Sequence, residues 1–212
     1  IVYFLKALRF DLEAVARPPS GPIYYDRLGR ELEAPGARPR RLVRRQDLPD
    51  FLVDALRARE DARFFEHGGV DGRGLGRALL RNLKDRNFTQ GASTISMQLV
   101  RNTFHLKAKS LDRKLLEIAL TLRLESRYTK DEILTHYLNT IYFGAGADGI
   151  EQAAQTYFGK STGELSEGEC ALMVGIIRGP HVFSPIRNLP AALQQREQTL
   201  DRLVAMGLLD SD

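Results

Sequence analysis

From Asp47 onward the chain reads as one helix after another, and this limits the fold more than any other property of the sequence. Asp47 or Asp50 can cap "FLVDALRARE", with Pro49 near its first turn. A second helix, "RGLGRALLRNLK", follows a glycine-rich break, and Ser93 or Thr94 caps "TISMQLVRN". In "SLDRKLLEIALTLRLE", Leu111, Leu115, Ile118 and Leu122 recur at helical spacing and predict a buried face. Thr129 with Glu132, and Ser166 with Glu169, have the spacing of capping boxes, in which each side chain accepts from the other residue's backbone N–H. Gly144 is expected to stop the first of these two helices and Gly179-Pro180 the second, while Pro190 starts a last helix that Gly207 closes. Only "GPIYYDRLGRELEA" departs: Ile23, Tyr24 and Tyr25 favour a strand, and "DRLG" supplies the turn of a short hairpin. The expected class is mostly α.

A chain of 212 residues suffices for one large domain or two small lobes sharing a core. With 43% hydrophobic and 27% charged residues it is globular rather than disordered. A net charge of +4 suits an anionic partner such as nucleic acid, a phospholipid surface or a phosphorylated substrate. Nucleic acid is disfavoured, because the basic residues are interleaved with acids and no nucleic-acid motif is present. Cys170, the one cysteine, lies in the apolar run "CALMVGII" and reads as a buried thiol, with no disulfide open to it in the chain. His67, His105, His136 and His181 are scattered without ligand spacing, so no structural zinc site is expected. The opening "IVYFLKALRF" is apolar but broken by Lys6 and Arg9, and is short of the roughly 20 residues a spanning helix needs. Residues 1–22 are read as a segment that fits the tail of a membrane anchor, and 23–212 as the domain. The run "ARPRRLVRR" reads as a solvated basic linker, with a headgroup contact as the alternative.

Three polar clusters go beyond packing. In "REDARFFEHGGVDGRG", Glu60 and Asp61 stand with Phe64 and His67 at the expected end of a helix, just before glycines. In "QGASTISMQLVRN", Thr94, Gln98 and Arg101 lie at i, i+4 and i+7 and share a face, with Ile95, Leu99 and Val100 elsewhere. A hydroxyl, an amide and a cation in line near a helix N-terminus suit a phosphate or sugar hydroxyls, although taken alone a solvated face is equally consistent. In "RKLLE", Arg113 and Lys114 sit four and three residues before Glu117. Alone this is a surface ion pair worth about 0.3–0.5 kcal/mol. The helix around it is apolar nearly all round, which argues that it is central and its polar groups are not idle; two cations beside a second carboxylate would suit a leaving phosphate.

These clusters, in this order, resemble the peptidoglycan glycosyltransferases: the family-51 glycosyltransferase domain of class A penicillin-binding proteins and of monofunctional transglycosylases. The first motif, E-D-x-x-F-x-x-H-x-G, stands as Glu60, Asp61, Phe64, His67 and Gly69. The second, G-x-S-T-I-x-x-Q-L-x-K-N, stands as Gly91, Ser93, Thr94, Ile95, Gln98, Leu99, Arg101 and Asn102. The third, R-K-x-x-E, is Arg113, Lys114 and Glu117. The fourth is "KDEILTHYLNTIYFG" continued by "GIEQAAQTYFGK", and the fifth is "ELSEGECALMVGIIRGP" leading to "SPIRN". Departures are Ala92 for Gly, Ser96-Met97 for Thr-Gln, Arg101 for Lys and Thr135 for Glu; Arg101 keeps its charge but presents a planar fork instead of a point charge.

The resemblance implies a two-lobed fold, with a lysozyme-like main lobe and a smaller membrane-proximal lobe. It implies transfer between lipid II units, in which the acceptor 4-hydroxyl attacks the anomeric carbon of the lipid-linked chain, undecaprenyl pyrophosphate leaves and the configuration inverts. Glu60 matches the general base, at a helix C-terminus where the dipole strengthens a base. Glu117 matches a second catalytic carboxylate that, with Arg113, Lys114 and Arg101, handles the pyrophosphate, and a divalent cation, Mg2+ or Mn2+, is admitted near it. Asp61, Phe64, His67, Ser93, Thr94, Gln98, Arg101, Asn102, Arg113 and Lys114 match substrate-binding positions; Asp61 is the nearest competitor for the base and is given a supporting role, orienting the motif through hydrogen bonds. The implied setting is the outer, periplasmic face of a bacterial inner membrane, with lipid II, the growing lipid-linked glycan, the membrane surface and other cell-wall synthesis proteins as partners.

Phe88, Phe104 and Leu106, beside Lys107 and Lys109, are expected to flank a membrane-facing patch, with plain core packing as the alternative. A lysozyme-like hydrolase or lytic transglycosylase is the nearest rival, but it would use a protonated Glu as acid and have no need of a cationic cluster. An inactive glycan- or lipid-binding module is the other, and retention of Glu60 and Glu117 argues against it. There is no S-x-x-K or K-T-G, hence no transpeptidase site, and the hairpin favours a domain of a longer, bifunctional protein.

Overall fold

The computed structural model describes residues 2–17, 24–25, 27–28, 31–32, 41–76, 93–106, 108 and 110–210. In chain order the helices are α1 (Val2–Ala7), α2 (Asp50–Glu60), α3 (Ile95–Thr103), α4 (Leu111–Arg127), α5 (Lys130–Thr140), α6 (Ile150–Phe158), α7 (Glu167–Ile176) and α8 (Leu189–Ala205). Among the described residues the strands form two short antiparallel hairpins: β1 (Tyr24–Tyr25) with β2 (Glu31–Leu32), and β3 (Tyr142–Gly144) with β4 (Ala147–Asp148). The mostly α class is as expected, and the N-terminal hairpin pairs Tyr24 with Leu32 and Tyr25 with Glu31. The second expected helix is helical over 72–76; the rest of it, including Phe88, lies outside the described residues.

Local chemistry sets the helix ends. Thr94 caps α3, its hydroxyl accepting from the Met97 N–H at 3.1 Å. Both capping boxes form, Thr129–Glu132 on α5 and Ser166–Glu169 on α7. Asp47 does not cap α2. It closes a 3-10 turn with Arg44, and Pro49 precedes the helix while Asp50 lies in its first turn. Gly144 does not stop α5, which ends at Thr140; it sits inside β3 at φ +90°, a conformation that suits only glycine.

Helix α2 packs on α7 and α8, which pack on each other, and α3 packs on both α4 and α5. Leu52 and Leu56 of α2, Ile95 and Leu99 of α3, Leu120 and Leu124 of α4, and Ile133, Leu134 and Tyr137 of α5 are fully buried in one core. Cys170 belongs to it, and burial pushes its thiol up to about 12. The N-terminal segment packs on α4: Phe10 meets Phe104 edge-on at 5.2 Å, and Arg127 bridges to Glu13 at 2.7 Å.

The face of α4 is a correction. Leu111, Leu115 and Leu122 are exposed, Leu111 to 84%, while Glu117, Leu120, Thr121 and Leu124 face the core. Val2, Phe4 and Leu5 of the adjoining α1, and Leu8 just after it, are exposed as well. The residues of the expected membrane-facing patch are placed otherwise. Phe104 and Leu106 are partly buried against the core, and Lys107 and Lys109 lie outside the described residues.

Candidate active site

Helix α2 ends at Glu60, and Asp61, its C-cap at φ −158° and ψ 77°, has left the helical path, so the two acids take different directions. The Glu60 side chain is only 6% exposed. Its Oε2 accepts from Gln98 Nε2 at 3.0 Å and its Oε1 from Arg178 Nε at 2.9 Å. Arg178, at 54% exposure, lies on the solvent side of the carboxylate, and a second guanidinium nitrogen donates to the Arg59 carbonyl at 2.8 Å. Behind Gln98, the Tyr137 hydroxyl donates to its Oε1 at 3.0 Å. Tyr137 is fully buried, and burial together with the Glu60 charge raises its phenol well above 10, so it is a neutral donor.

Asp61 turns inward. It accepts from His67 Nε2 at 3.0 Å and from the Ile95 N–H at 3.1 Å, at the N-terminus of α3. The Gly69 N–H donates to His67 Nδ1 at 3.1 Å, so the ring hydrogen sits on Nε2 and points at Asp61. Burial raises the Asp61 carboxyl; the His67 and Ile95 hydrogen bonds oppose the rise. The Thr94 hydroxyl donates to the Gly69 carbonyl at 2.6 Å. Phe64 is fully buried, edge-on to His67, and lies beneath the Lys130 ammonium at 4.5 Å. Lys130 in turn pairs with Glu125 at 2.8 Å, which also accepts from Ser96.

The third cluster opens α4. Glu117 is fully buried, with Lys114 Nζ 2.7 Å from Oε1 and Arg113 on Oε2. Lys114 also reaches Ser93 Oγ at 3.4 Å, and the Thr121 hydroxyl donates to the Glu117 carbonyl at 2.8 Å. Two cations in the first turn and a half of α4, near the positive end of its dipole, form a positively charged cluster around Glu117.

The expected site residues thus divide. Glu60, Gln98, Arg113 and Lys114 keep polar groups at a partly accessible surface, with Ser93 half-buried beside Lys114 and Asn102 exposed. Asp61, expected to orient the motif through hydrogen bonds, does so to His67 and the Ile95 N–H, and Phe64, His67 and Thr94 are largely buried against the same loop. Glu117, expected as a second catalytic carboxylate, has both oxygens committed to cations. Arg101, expected with Glu117, lies in the last turn of α3, three residues beyond Gln98. A divalent cation at Glu117 does not fit these residues, because each oxygen already accepts from a cation. Among the described residues no group of three or more His, Cys, Asp or Glu could hold a metal.

Sequence reasoning missed two members. Arg178 follows the apolar α7 as a lone cation before Gly-Pro, a signal that was available in the fifth motif. Tyr137 gives none, since an aromatic at a core position of a helix is ordinary.

The sequence matches the transglycosylase family over residues 28–204. It is 37% identical over 198 residues to penicillin-binding protein 1A/1B of Bacillus subtilis, covering 93% of this chain and 22% of that one. To penicillin-binding protein 1B of Escherichia coli it is 38% identical, covering 85% and 22%. To a putative transglycosylase of Cupriavidus necator it is 43% identical, covering 76% of this chain and 69% of that one. The chain spans about a fifth of the length of these two penicillin-binding proteins. A match over most of the chain, on a helical fold that brings the five motifs' polar residues into two linked clusters, places the chain in the transglycosylase family, the family-51 peptidoglycan glycosyltransferase domain.

Proposed function

We propose that this domain polymerises lipid II into glycan strands, with Glu60 as general base. The observation that carries the reading is the pairing of a nearly buried carboxylate, reached past Arg178, with a separate cationic cluster at the start of α4. The acceptor's 4-hydroxyl attacks the anomeric carbon of the lipid-linked donor, and its proton passes to Glu60. The bond from that carbon to the pyrophosphate oxygen breaks with inversion. Arg113 and Lys114 meet the charge on the departing undecaprenyl pyrophosphate. Glu117 anchors both cations and does not touch substrate.

The same geometry disfavours a hydrolase. A glycosidase needs two carboxyl groups flanking the scissile bond, one of them protonated. Glu117 is fully buried with a cation on each oxygen, which suits neither role, whereas Glu60 carries one cation, the half-exposed Arg178.

The exposed leucines of α4 and apolar residues of α1, with Lys6 among them, support contact with the membrane that carries the lipid-linked substrate, on its periplasmic face. No helix among the described residues is long and apolar enough to cross a membrane.

The deciding experiment is Glu60→Gln. Gln keeps the shape but cannot take the proton, and positioned bases contribute about 10²–10⁴-fold. Glycan formation from labelled lipid II should be lost while thermal melting stays near wild type. Polymerisation close to the wild-type rate by the folded variant would overturn the assignment.

A further inference from the structure

We propose that Tyr137 is a positioning residue for the base: through Gln98 it fixes the direction in which Glu60 is held. The inference rests on the reading of Glu60 as general base.

An amide side chain has a donor end and an acceptor end, and the terminal torsion of Gln is soft. Gln98 stands between a carboxylate and a phenol, 3.0 Å from each. Only one orientation serves Glu60. With Nε2 toward the carboxylate the contact is a charge-assisted hydrogen bond, and with Oε1 there it is a repulsion between two oxygens. The carboxylate itself favours that orientation, and the group behind anchors it. Tyr137 is fully buried and keeps its proton, so its hydroxyl can donate to Oε1 and leaves both amide hydrogens for the other side. Tyr137 stands on α5 and Gln98 on α3, and these two helices pack directly on each other. The hydroxyl is therefore held by the core rather than by the site. Arg178 grips the other oxygen of Glu60 but is half exposed, so the buried relay from Tyr137 is the fixed half of the mounting. Being fully buried, Tyr137 serves the orientation of the base and not the binding of lipid II.

The test compares steady-state polymerisation of lipid II by wild type, Tyr137→Phe, Gln98→Met and the double variant. Phe keeps the ring, and Met fills the space of Gln without its hydrogen bonds. Tyr137→Phe should lower kcat by about 10- to 100-fold, as when an outer partner of an active-site ligand is removed, with KM changed less than about twofold. In the Gln98→Met background the same substitution should change kcat less than about twofold, because the relay is already broken. Wild-type kcat in Tyr137→Phe, or losses that simply multiply in the double variant, would overturn the proposal. If Tyr137→Phe does not fold, Gln98→Met decides: a kcat loss of the same size at constant KM supports the relay, and near-normal kcat rejects it. Glu60→Gln in the same assay separates the two claims. If it is active, the base reading has failed; if it is inactive while Tyr137→Phe is normal, only the relay has.

Discussion

Two adjacent glycines in the acidic motif make a paired experiment with opposite outcomes. A Cβ added at Gly68 would meet nothing within 4 Å, and its backbone is not in the left-handed region. Gly69 has φ +92°, and a Cβ there would lie 2.7 Å from Thr121 Cγ2 and 2.8 Å from Glu125 Cγ. Neither neighbour can swing away cheaply. Thr121 is buried with its hydroxyl on the Glu117 carbonyl, and Glu125 is held by Ser96 and Lys130. Positive φ costs an alanine about 1–2 kcal/mol, and overpacking of this kind adds about 1–3. Gly69→Ala should therefore lose about 2–5 kcal/mol. At about 2–4 °C per kcal/mol for a chain of this size, that is a fall in Tm of roughly 4–20 °C. Gly68→Ala should stay within about 0.5 kcal/mol of wild type. Gly69 also donates to His67 and accepts from Thr94, so activity should fall beyond what the unfolded fraction explains. Differential scanning calorimetry of both variants, with polymerisation measured well below Tm, reads the result. Equal melting temperatures for the pair would refute the steric argument.

Arg113→Ala and Lys114→Ala should each fold and lose turnover by about 10²–10³, as when one donor to a developing anion is removed; a folded Arg113→Ala variant with normal turnover would make the pair structural. Leu111→Ser with Leu115→Ser should weaken flotation with anionic liposomes while melting is unchanged, since both side chains are exposed; undiminished flotation would place the lipid contact elsewhere. Lys160, 2.7 Å away, holds the Glu169 carboxyl below its usual 4.5. Its stabilisation is present above pH 4.5 and is lost as pH falls through the lowered value, so Glu169→Gln should flatten the loss of Tm between pH 6 and 3.

Most helix ends were legible because they depend on neighbours in sequence: Thr129 with Glu132, Ser166 with Glu169, Thr94 alone, and Gly207 at φ +68° after α8. The face of α4 was not. Periodicity in Leu111, Leu115, Ile118 and Leu122 locates an apolar stripe but does not say whether it meets a core or a surface. The polar face went inward because the helix supplies its own partners, Arg113 and Lys114 to Glu117 and Thr121 to the Glu117 carbonyl, so burial strands no charge. Arg178 and Tyr137 escaped notice for a related reason. Each acts on Glu60 across a long stretch of sequence, and no local pattern encodes such a meeting.

The acidic pair and the basic pair act together because α3 connects them. Its first backbone N–H, at Ile95, holds Asp61 and with it the end of α2. Ser93 and Met97 meet Lys114 on one side, while Gln98 meets Glu60 on the other. All of these contacts fall between Ser93 and Gln98. A base that takes a proton and cations that receive a leaving group must keep their separation through the reaction, and a tolerance of about 0.5 Å is better kept by a helix than by a loop. Thr94, Phe64 and His67, which belong to the motifs, make their contacts within this frame. They hold the first turn of α3 against the loop that follows Glu60, and a shift there would move the base and the cations relative to each other.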